Sequence, residues 1–166
     1  MTHLTALTLA AAFAGASALG WALAEPATIS GAAYAVDGDT IRVGSVRLRL
    51  FGVDAPESTQ TCRDAQRRPY ACGEAATAAL RYMLARDPNV TCAPRDTDRY
   101  GRTVAVCRNG EGDLGARMVA TGHALDYARY SHGAYRDQQE AAKAERLGVW
   151  SGDFVPPEQY RRESRR

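Results

Sequence analysis

The sequence predicts an α+β fold, a small five-stranded Greek-key β-barrel that carries three α-helices. Short runs of alternating or apolar residues between glycine turns predict three successive strands at 31–36, 40–43 and 45–51. A longer segment at 73–86 has the spacing of an amphipathic helix, and two more strand-like runs follow it. With 166 residues, the chain is long enough for one such domain and short for two.

The first three strands are predicted to be antiparallel neighbours. In the third strand, Arg47 and Arg49 alternate with apolar residues, so both arginines face one side of the sheet. Gly38 and Gly44 stand between the runs and suit tight turns. The Asp-Ala-Pro sequence at 54–56 ends the third strand, because proline cannot continue a strand pairing.

The three helices are predicted at 73–86, from 113 or 114 to 121, and at 135–147. The first has an apolar stripe and stops where a proline follows an aspartate. The fourth and fifth strands, at 90–93 and 103–108, lie between the first helix and the second. Five strands with helices inserted and appended are typical of the oligonucleotide-binding (OB) type of barrel.

Residues 1–24 are predicted to be a signal peptide. They contain no Lys, Arg, Asp or Glu, and their alanine-rich apolar stretch ends on small residues. A retained membrane anchor is the alternative, but polar residues dilute the stretch and alanine is a weak driver of insertion. We therefore predict a secreted or periplasmic protein with its domain at 25–160 and a basic C-terminal tail at 161–166.

The four cysteines are expected to form two disulfides, because export leads to an oxidising compartment. None of their spacings resembles the close Cys pairs of a zinc site. Of the three possible pairings, we favour Cys62 with Cys72, and Cys92 with Cys107, which would join two predicted strands. The alternative is four reduced, buried thiols, which would require a cytosolic location.

Two acidic clusters, Asp-Gly-Asp-Thr at 37–40 and Asp-Ala-Pro-Glu at 54–57, lie beside isolated arginines and indicate the function. Asp39 and Asp54 offer hard oxygen ligands of the kind that Ca²⁺ prefers. Arg49 and Arg102 offer planar donor forks that match phosphate oxygens. Carboxylates alone would repel a phosphodiester, and arginines alone would bind one without activating water. The combination therefore predicts metal-assisted phosphodiester hydrolysis, although the net charge of +2 is too small to indicate a nucleic-acid partner by itself.

Three sequence strings together resemble the thermonuclease, or staphylococcal nuclease-like, family. They are Val-Asp-Gly-Asp-Thr-Ile at 36–41, Arg-Leu-Phe-Gly-Val-Asp-Ala-Pro-Glu at 49–57 and Asp-Arg-Tyr-Gly-Arg at 98–102. The resemblance implies a five-stranded barrel with three helices. It also implies a Ca²⁺-dependent endonuclease that cuts DNA and RNA by water attack with the 5′-oxygen leaving.

The resemblance also implies roles for the acidic residues. Asp39 and Asp54 look like the carboxylate ligands of Ca²⁺, and Ala55 matches the position of a backbone carbonyl ligand. Family members often have threonine there, but a carbonyl ligand tolerates alanine. Thr40 would steady the ligand shell through a water. Glu57 resembles the general base, which either accepts the proton of the attacking water or only orients that water.

The remaining site residues would contact the substrate. By the resemblance, Arg49 and Arg102 are the two phosphate-binding arginines, which would neutralise charge on the equatorial oxygens. Tyr127 and Tyr130 are candidates for stacking on bases, although tyrosines in a small barrel are also common as core or surface residues. Arg99 stands where the family commonly has a lysine near the nucleotide.

Two other classes of function compete with the enzyme. One is a non-catalytic OB-fold module of the cell envelope that binds nucleic acid, and the other is an exported structural domain that binds Ca²⁺ for stability. A binding module needs only basic and aromatic surface and has no reason to keep the two carboxylates, the glutamate and the two arginines together. We therefore predict the nuclease, as a monomer with nucleic acid as substrate and no stable protein partner. The preference between DNA and RNA stays open.

Overall fold

The computed structural model describes residues 27–165. The predicted signal peptide at 1–24 lies outside the described residues. Within the described part of the chain, no helix combines the length and apolar character needed to cross a membrane.

The described residues form ten strands, several of them only two residues long, together with five α-helices and one short 3₁₀ helix. The strands are β1 (Ile29–Ala35), β2 (Thr40–Val43), β3 (Val46–Leu50), β4 (Val53–Asp54), β5 (Cys62–Arg63), β6 (Pro69–Tyr70), β7 (Asn89–Thr97), β8 (Thr103–Asn109), β9 (Gly112–Asp113) and β10 (Leu125–Asp126). The helices are α1 (Cys72–Arg86), α2 (Leu114–Ala120), α3 (Ala128–Ser131), α4 (Arg136–Ala144) and α5 (Pro157–Glu163), and the 3₁₀ helix spans Gly148–Ser151.

Five of these strands close into a mixed barrel. Strands β3, β2, β1, β7 and β8 are antiparallel neighbours in that order. Strand β8 then returns to β3 in parallel, with Leu50 opposite Ala105. Closure leaves no free edge in the five-stranded cycle, which protects a small sheet from pairing with other chains. The predicted fold class, a five-stranded OB-type barrel with helices, is confirmed.

The core fills the barrel and continues under the first two helices. Ile41 and Leu48 from neighbouring strands are fully buried, and they join Leu80 of α1 and Met118 of α2 in one cluster. Each such side chain contributes about 1.5–3 kcal/mol to folding through removal of apolar surface from water. The strands that carry the candidate site residues are therefore held on a rigid scaffold.

The predicted elements are recovered, although β7 continues to Thr97 where an end at 93 was predicted, and α4 ends at Ala144 where an end at 147 was predicted. The structure adds the short helix α3 and the C-terminal helix α5, neither of which the sequence analysis predicts. Residues 161–163, assigned by sequence to a basic tail, belong to α5. This difference matters because α5 reaches the candidate site.

The two disulfides join the favoured partners. Cys62 pairs with Cys72 and ties β5 to the first residue of α1. Cys92 pairs with Cys107 directly across the β7–β8 ladder. The described residues contain no free cysteine. The first bridge therefore fastens the segment that follows the second acidic cluster, and the second fastens the barrel wall.

Candidate active site

A cleft of about 870 Å³ gathers most of the residues that the sequence assigns to the site. Its lining combines the carboxylates, arginines and tyrosines of separate elements. The predicted residues among them are Asp39, Arg49, Ala55, Glu57, Arg99, Arg102, Tyr127 and Tyr130. Asp54 is only 3% exposed and joins the cleft through hydrogen bonds to two of its arginines. The expected convergence of these residues is therefore present in the fold.

The two metal-ligand candidates face one guanidinium group. Arg49 donates from Nη1 to Asp39 Oδ1 at 3.0 Å. Its Nη2 lies 2.9 Å from Asp39 Oδ2 and 3.4 Å from Asp54 Oδ1. Strand pairing sets up this contact, because Thr40, the residue after Asp39, is the cross-strand partner of Arg49. The carboxylates of two acidic clusters thus converge on a single cationic nitrogen.

Burial makes both carboxylates reluctant to carry charge. Burial raises the pKa of Asp39 to about 7, with the charges of Asp37 and Asp54 adding to the rise and Arg49 opposing it. Burial also raises the pKa of Asp54, against the opposing effects of Arg161 and Arg49. Two carboxylates that are costly to ionise together favour a cation placed between them.

Gly38 allows the two acidic clusters to approach. A Cβ atom at this position would lie 2.7 Å from the Cβ of Ala55 and 2.9 Å from the Cβ of Ala76. Thr40 then fixes the orientation of Asp39, because its buried hydroxyl donates directly to Asp39 Oδ1 at 3.1 Å. The Thr40 hydroxyl thus contacts the Asp39 carboxylate directly, and its role in the ligand shell through a water stays a prediction.

The segment that carries Glu57 is held from both sides. A Cβ atom on Gly73 of α1 would lie 1.8 Å from the Glu57 carbonyl oxygen, so only glycine permits this approach. Gln60, which is 1% exposed, accepts from the Glu57 N–H at 3.2 Å and donates to the Val155 carbonyl at 2.7 Å. The Glu57 side chain itself is 40% exposed, and its Oε1 contacts Arg161 Nη1 at 2.8 Å.

Arg102 reaches the cleft in an ion pair that the sequence analysis does not predict. Its Nε donates to Asp98 Oδ2 at 2.7 Å, and its own N–H donates to Asp98 Oδ1 at 2.9 Å. Asp98 also accepts from the N–H of Tyr100 and so shapes the turn between β7 and β8. The Arg102 guanidinium lies 5.6 Å from the centre of the Tyr100 ring. The turn therefore directs the Arg102 guanidinium group into the cleft, and the hydrogen bonds of Asp98 stabilise the turn.

The tyrosines line the cleft from the start of α3. The rings of Tyr127 and Tyr130 are 4.8 Å apart between centroids, and Tyr130 is half exposed. The Tyr127 N–H donates to the Gly52 carbonyl at 2.8 Å. Gly52 has φ of 69° and would carry a Cβ only 2.8 Å from Ser131 Cβ, so glycine is required for α3 to pack there. Arg99 is exposed and lies against the ring of Tyr100.

Arg161 is the site residue that sequence reasoning missed. Its Nη1 and Nη2 donate to Asp54 Oδ1 and Oδ2 at 2.8 and 3.0 Å, and Nη1 also donates to Glu57 Oε1. Burial alone would lower the pKa of Arg161, but its bonds to these carboxylates raise it above the usual range. The sequence does contain a signal for α5, because Pro157 and Glu158 suit the first turn of a helix and arginines suit its last turn.

The donor set suits a hard divalent cation with few protein ligands. Among residues 27–165, no group of three or more His, Cys, Asp or Glu is arranged to hold a metal ion. Asp39 and Asp54 nevertheless direct oxygens at the same guanidinium nitrogen, which shows where a positive charge is favourable. Ca²⁺ prefers hard oxygen ligands and accepts carboxylates together with water, so the chemistry of these two carboxylates suits it.

The chain matches the family model described as "Staphylococcal nuclease homologue" over residues 47–152. The match includes Arg49, Glu57 and Arg102. Asp39 and Arg161 lie outside it, on either side.

The chain is also similar to several bacterial proteins, two of which are named as nucleases. A succinoglycan biosynthesis protein of Rhizobium meliloti is 37% identical over 128 residues, which cover 76% of this chain and 66% of that protein. An uncharacterized endonuclease of Haemophilus influenzae is 32% identical over 136 residues, covering 78% of this chain and 70% of that protein. A micrococcal nuclease of Shigella flexneri is 32% identical over 147 residues, covering 78% of each. The chain therefore belongs to the staphylococcal nuclease family of hydrolytic nucleases, as its sequence predicts.

Proposed function

We propose that this protein is an exported, Ca²⁺-dependent endonuclease that hydrolyses phosphodiester bonds of DNA or RNA. The observation that carries the proposal is the position of Arg49 Nη2 between the buried carboxylates of Asp39 and Asp54. The same cleft is lined by Glu57 and Arg102, so cation, base and phosphate contacts share one space. The two disulfides support export, since such bonds persist in oxidising compartments.

Three oxygen donors would hold the ion. They are the carboxylates of Asp39 and Asp54 and the main-chain carbonyl of Ala55, with Thr40 bracing Asp39 through its buried hydrogen bond. When bound, Ca²⁺ would supply positive charge to the phosphate and lower the pKa of a nearby water. This role is consistent with the raised pKa of both buried carboxylates, because a nearby cation would make their ionised forms more favourable.

Glu57 would act on the attacking water. The water oxygen forms a bond to phosphorus, and the bond between phosphorus and the 5′-oxygen breaks. Glu57 accepts the proton that the water loses, or orients the water while solvent accepts that proton, and the leaving oxygen ends as a 5′-hydroxyl. The other product end is a 3′-phosphate. The exposed carboxylate of Glu57 and its well-packed backbone suit such a role.

The arginines would stabilise the charge that develops on the phosphate. Arg49 and Arg102 both present guanidinium groups to the cleft while paired with carboxylates. A phosphate entering the cleft would offer both groups a second anionic partner, in the two-pronged geometry that arginine favours. Tyr127, Tyr130 and Arg99 would contact the nucleotide without regard to base identity, since stacking is available to every base.

The test is cleavage of single-stranded DNA by the purified mature protein in Ca²⁺ or in chelator. We expect the protein to cleave DNA in Ca²⁺ and not in chelator, and we expect Arg49→Ala and Glu57→Ala to lose this cleavage. Arg86→Ala is the matched control, because Arg86 pairs with Glu111 on the surface away from the cleft. If those two variants and the unsubstituted protein all bound DNA without cutting it, a non-catalytic binding module would replace the proposed nuclease.

A further inference from the structure

Helix α5 brings a third arginine into the site. The guanidinium of Arg161 contacts both oxygens of Asp54 in a two-pronged pair and bridges to Glu57. The pair joins residues 107 positions apart in the chain. Arg161 lies beyond residue 152, where the family match ends. Its presence in the site is therefore a property of this fold that the family match does not cover.

The position of α5 is fixed by packing. Pro157 at the start of the helix is fully buried. The preceding residue but one, Val155, accepts a hydrogen bond from the buried Gln60 at 2.7 Å. The hydroxyl of Tyr160 lies 3.4 Å from that of Thr59, in the same segment that follows Glu57. Arg161 thus reaches the carboxylates from an anchored helix, and its side chain is only 24% exposed.

The contacts of Arg161 use the oxygens that a divalent cation would need. A carboxylate has two oxygens with about four lone-pair sites. On Asp54, Arg161 takes one site on each oxygen and Arg49 takes a third on Oδ1. On Glu57, Arg161 occupies Oε1, one of two oxygens able to receive a proton from water. These contacts leave one lone-pair site on Asp54, on Oδ2, so a cation that binds this carboxylate through both oxygens competes directly with Arg161.

We propose that Arg161 is a positioning residue that holds Asp54 and Glu57 until a divalent cation displaces it, and then contacts the substrate phosphate. The inference rests on the proposed Ca²⁺-dependent function. Arg161 lines the same cleft as Arg49 and Arg102, so a displaced guanidinium remains within the substrate space. An entering phosphate replaces the anionic partner that Arg161 gives up. Ca²⁺ and phosphate binding are consequently coupled through this side chain.

The experiment measures Ca²⁺ affinity by calorimetry, with and without a nucleoside 3′,5′-bisphosphate. We expect Arg161→Gln to bind Ca²⁺ alone at least about threefold more tightly than the unsubstituted protein, because its ion pair no longer competes. Bisphosphate should strengthen Ca²⁺ binding less in this variant than in the unsubstituted protein. Arg162→Gln is the matched control: it removes the same charge one residue along α5, from a pair with Glu158 that also borders the cleft. It lacks the contacts to Asp54 and Glu57, so it should change both quantities less than Arg161→Gln does.

Arg161→Lys provides a second variant, which keeps a positive charge beside the buried carboxylate of Asp54. It should give an intermediate Ca²⁺ affinity, since lysine cannot make the two-pronged contact. Equal or weaker Ca²⁺ binding by folded Arg161→Gln would overturn the proposed displacement of Arg161 by the cation. An equal change of Ca²⁺ affinity in Arg162→Gln would overturn it too. Failure of the unsubstituted protein to bind Ca²⁺ would overturn the proposed function as well, so the two failures are distinguishable.

Discussion

Replacing Gly73 by alanine should damage both stability and catalysis through one steric contact. The new Cβ would stand 1.8 Å from the Glu57 carbonyl oxygen, 2.6 Å from its carbon and 2.9 Å from Ser58 Cα. These are backbone atoms, so α1 and the Glu57 segment must separate by more than about 1 Å to restore ordinary contact. Overpacking of this kind costs about 1–3 kcal/mol. The better helix propensity of alanine offsets up to about 1 kcal/mol of that cost.

Gly73→Ala should impair the cleavage rate more than it lowers the free energy of unfolding. A displacement of about 1 Å in a positioned group lowers a rate by roughly a hundredfold, so we expect kcat to fall by about that factor while the protein stays folded. Thermal unfolding and steady-state cleavage of single-stranded DNA measure the two effects. Gly115→Ala in α2 is the comparison, because its Cβ would meet only side-chain atoms at 3.2 Å or more. An unchanged kcat in Gly73→Ala would refute the claim that this contact positions Glu57.

Three further predictions concern charge and covalent links. Arg49→Lys keeps the charge but loses the fork, so we expect kcat to fall by about a hundredfold, measured against Arg86→Lys as control. Burial raises the folded pKa of Asp39 to about 7. Its contribution to the free energy of unfolding is thus fully present below about pH 4 and is lost as pH rises through 7. Urea unfolding of the metal-free protein should show this loss of stability with rising pH, and Asp39→Asn should make the pH dependence weaker. Replacing Cys92 and Cys107 together by alanine opens a loop of 15 residues and should lower the free energy of unfolding by about 3 kcal/mol, and an unchanged denaturation midpoint would contradict that figure.

The barrel was predictable because its signals are local. Alternation in β3, glycine turns on either side of β2 and the apolar stripe of α1 each specify an element within a few residues. Helices α3 and α5 escaped prediction because they are short and polar, so neither shows a clear apolar periodicity. Their positions depend on tertiary packing, such as the burial of Pro157.

The residues of the site were predictable from their order along the chain, whereas their pairings were not. Two of the three short strings contain Asp39, Arg49 and Asp54, and the fold brings Arg49 into contact with both aspartates. The pairing of Arg102 with Asp98 depends on the conformation of a turn. The bond from Arg161 to Asp54 spans most of the domain and leaves no local trace in the sequence.

One cation and one phosphate should share the cleft. A crystal structure of the protein with Ca²⁺ and a nucleoside 3′,5′-bisphosphate would show both positions. We expect an ion bound by Asp39 and Asp54, and a single phosphate in contact with both Arg49 and Arg102. An ion bound away from these carboxylates, or a phosphate that touches neither arginine, would contradict this expectation.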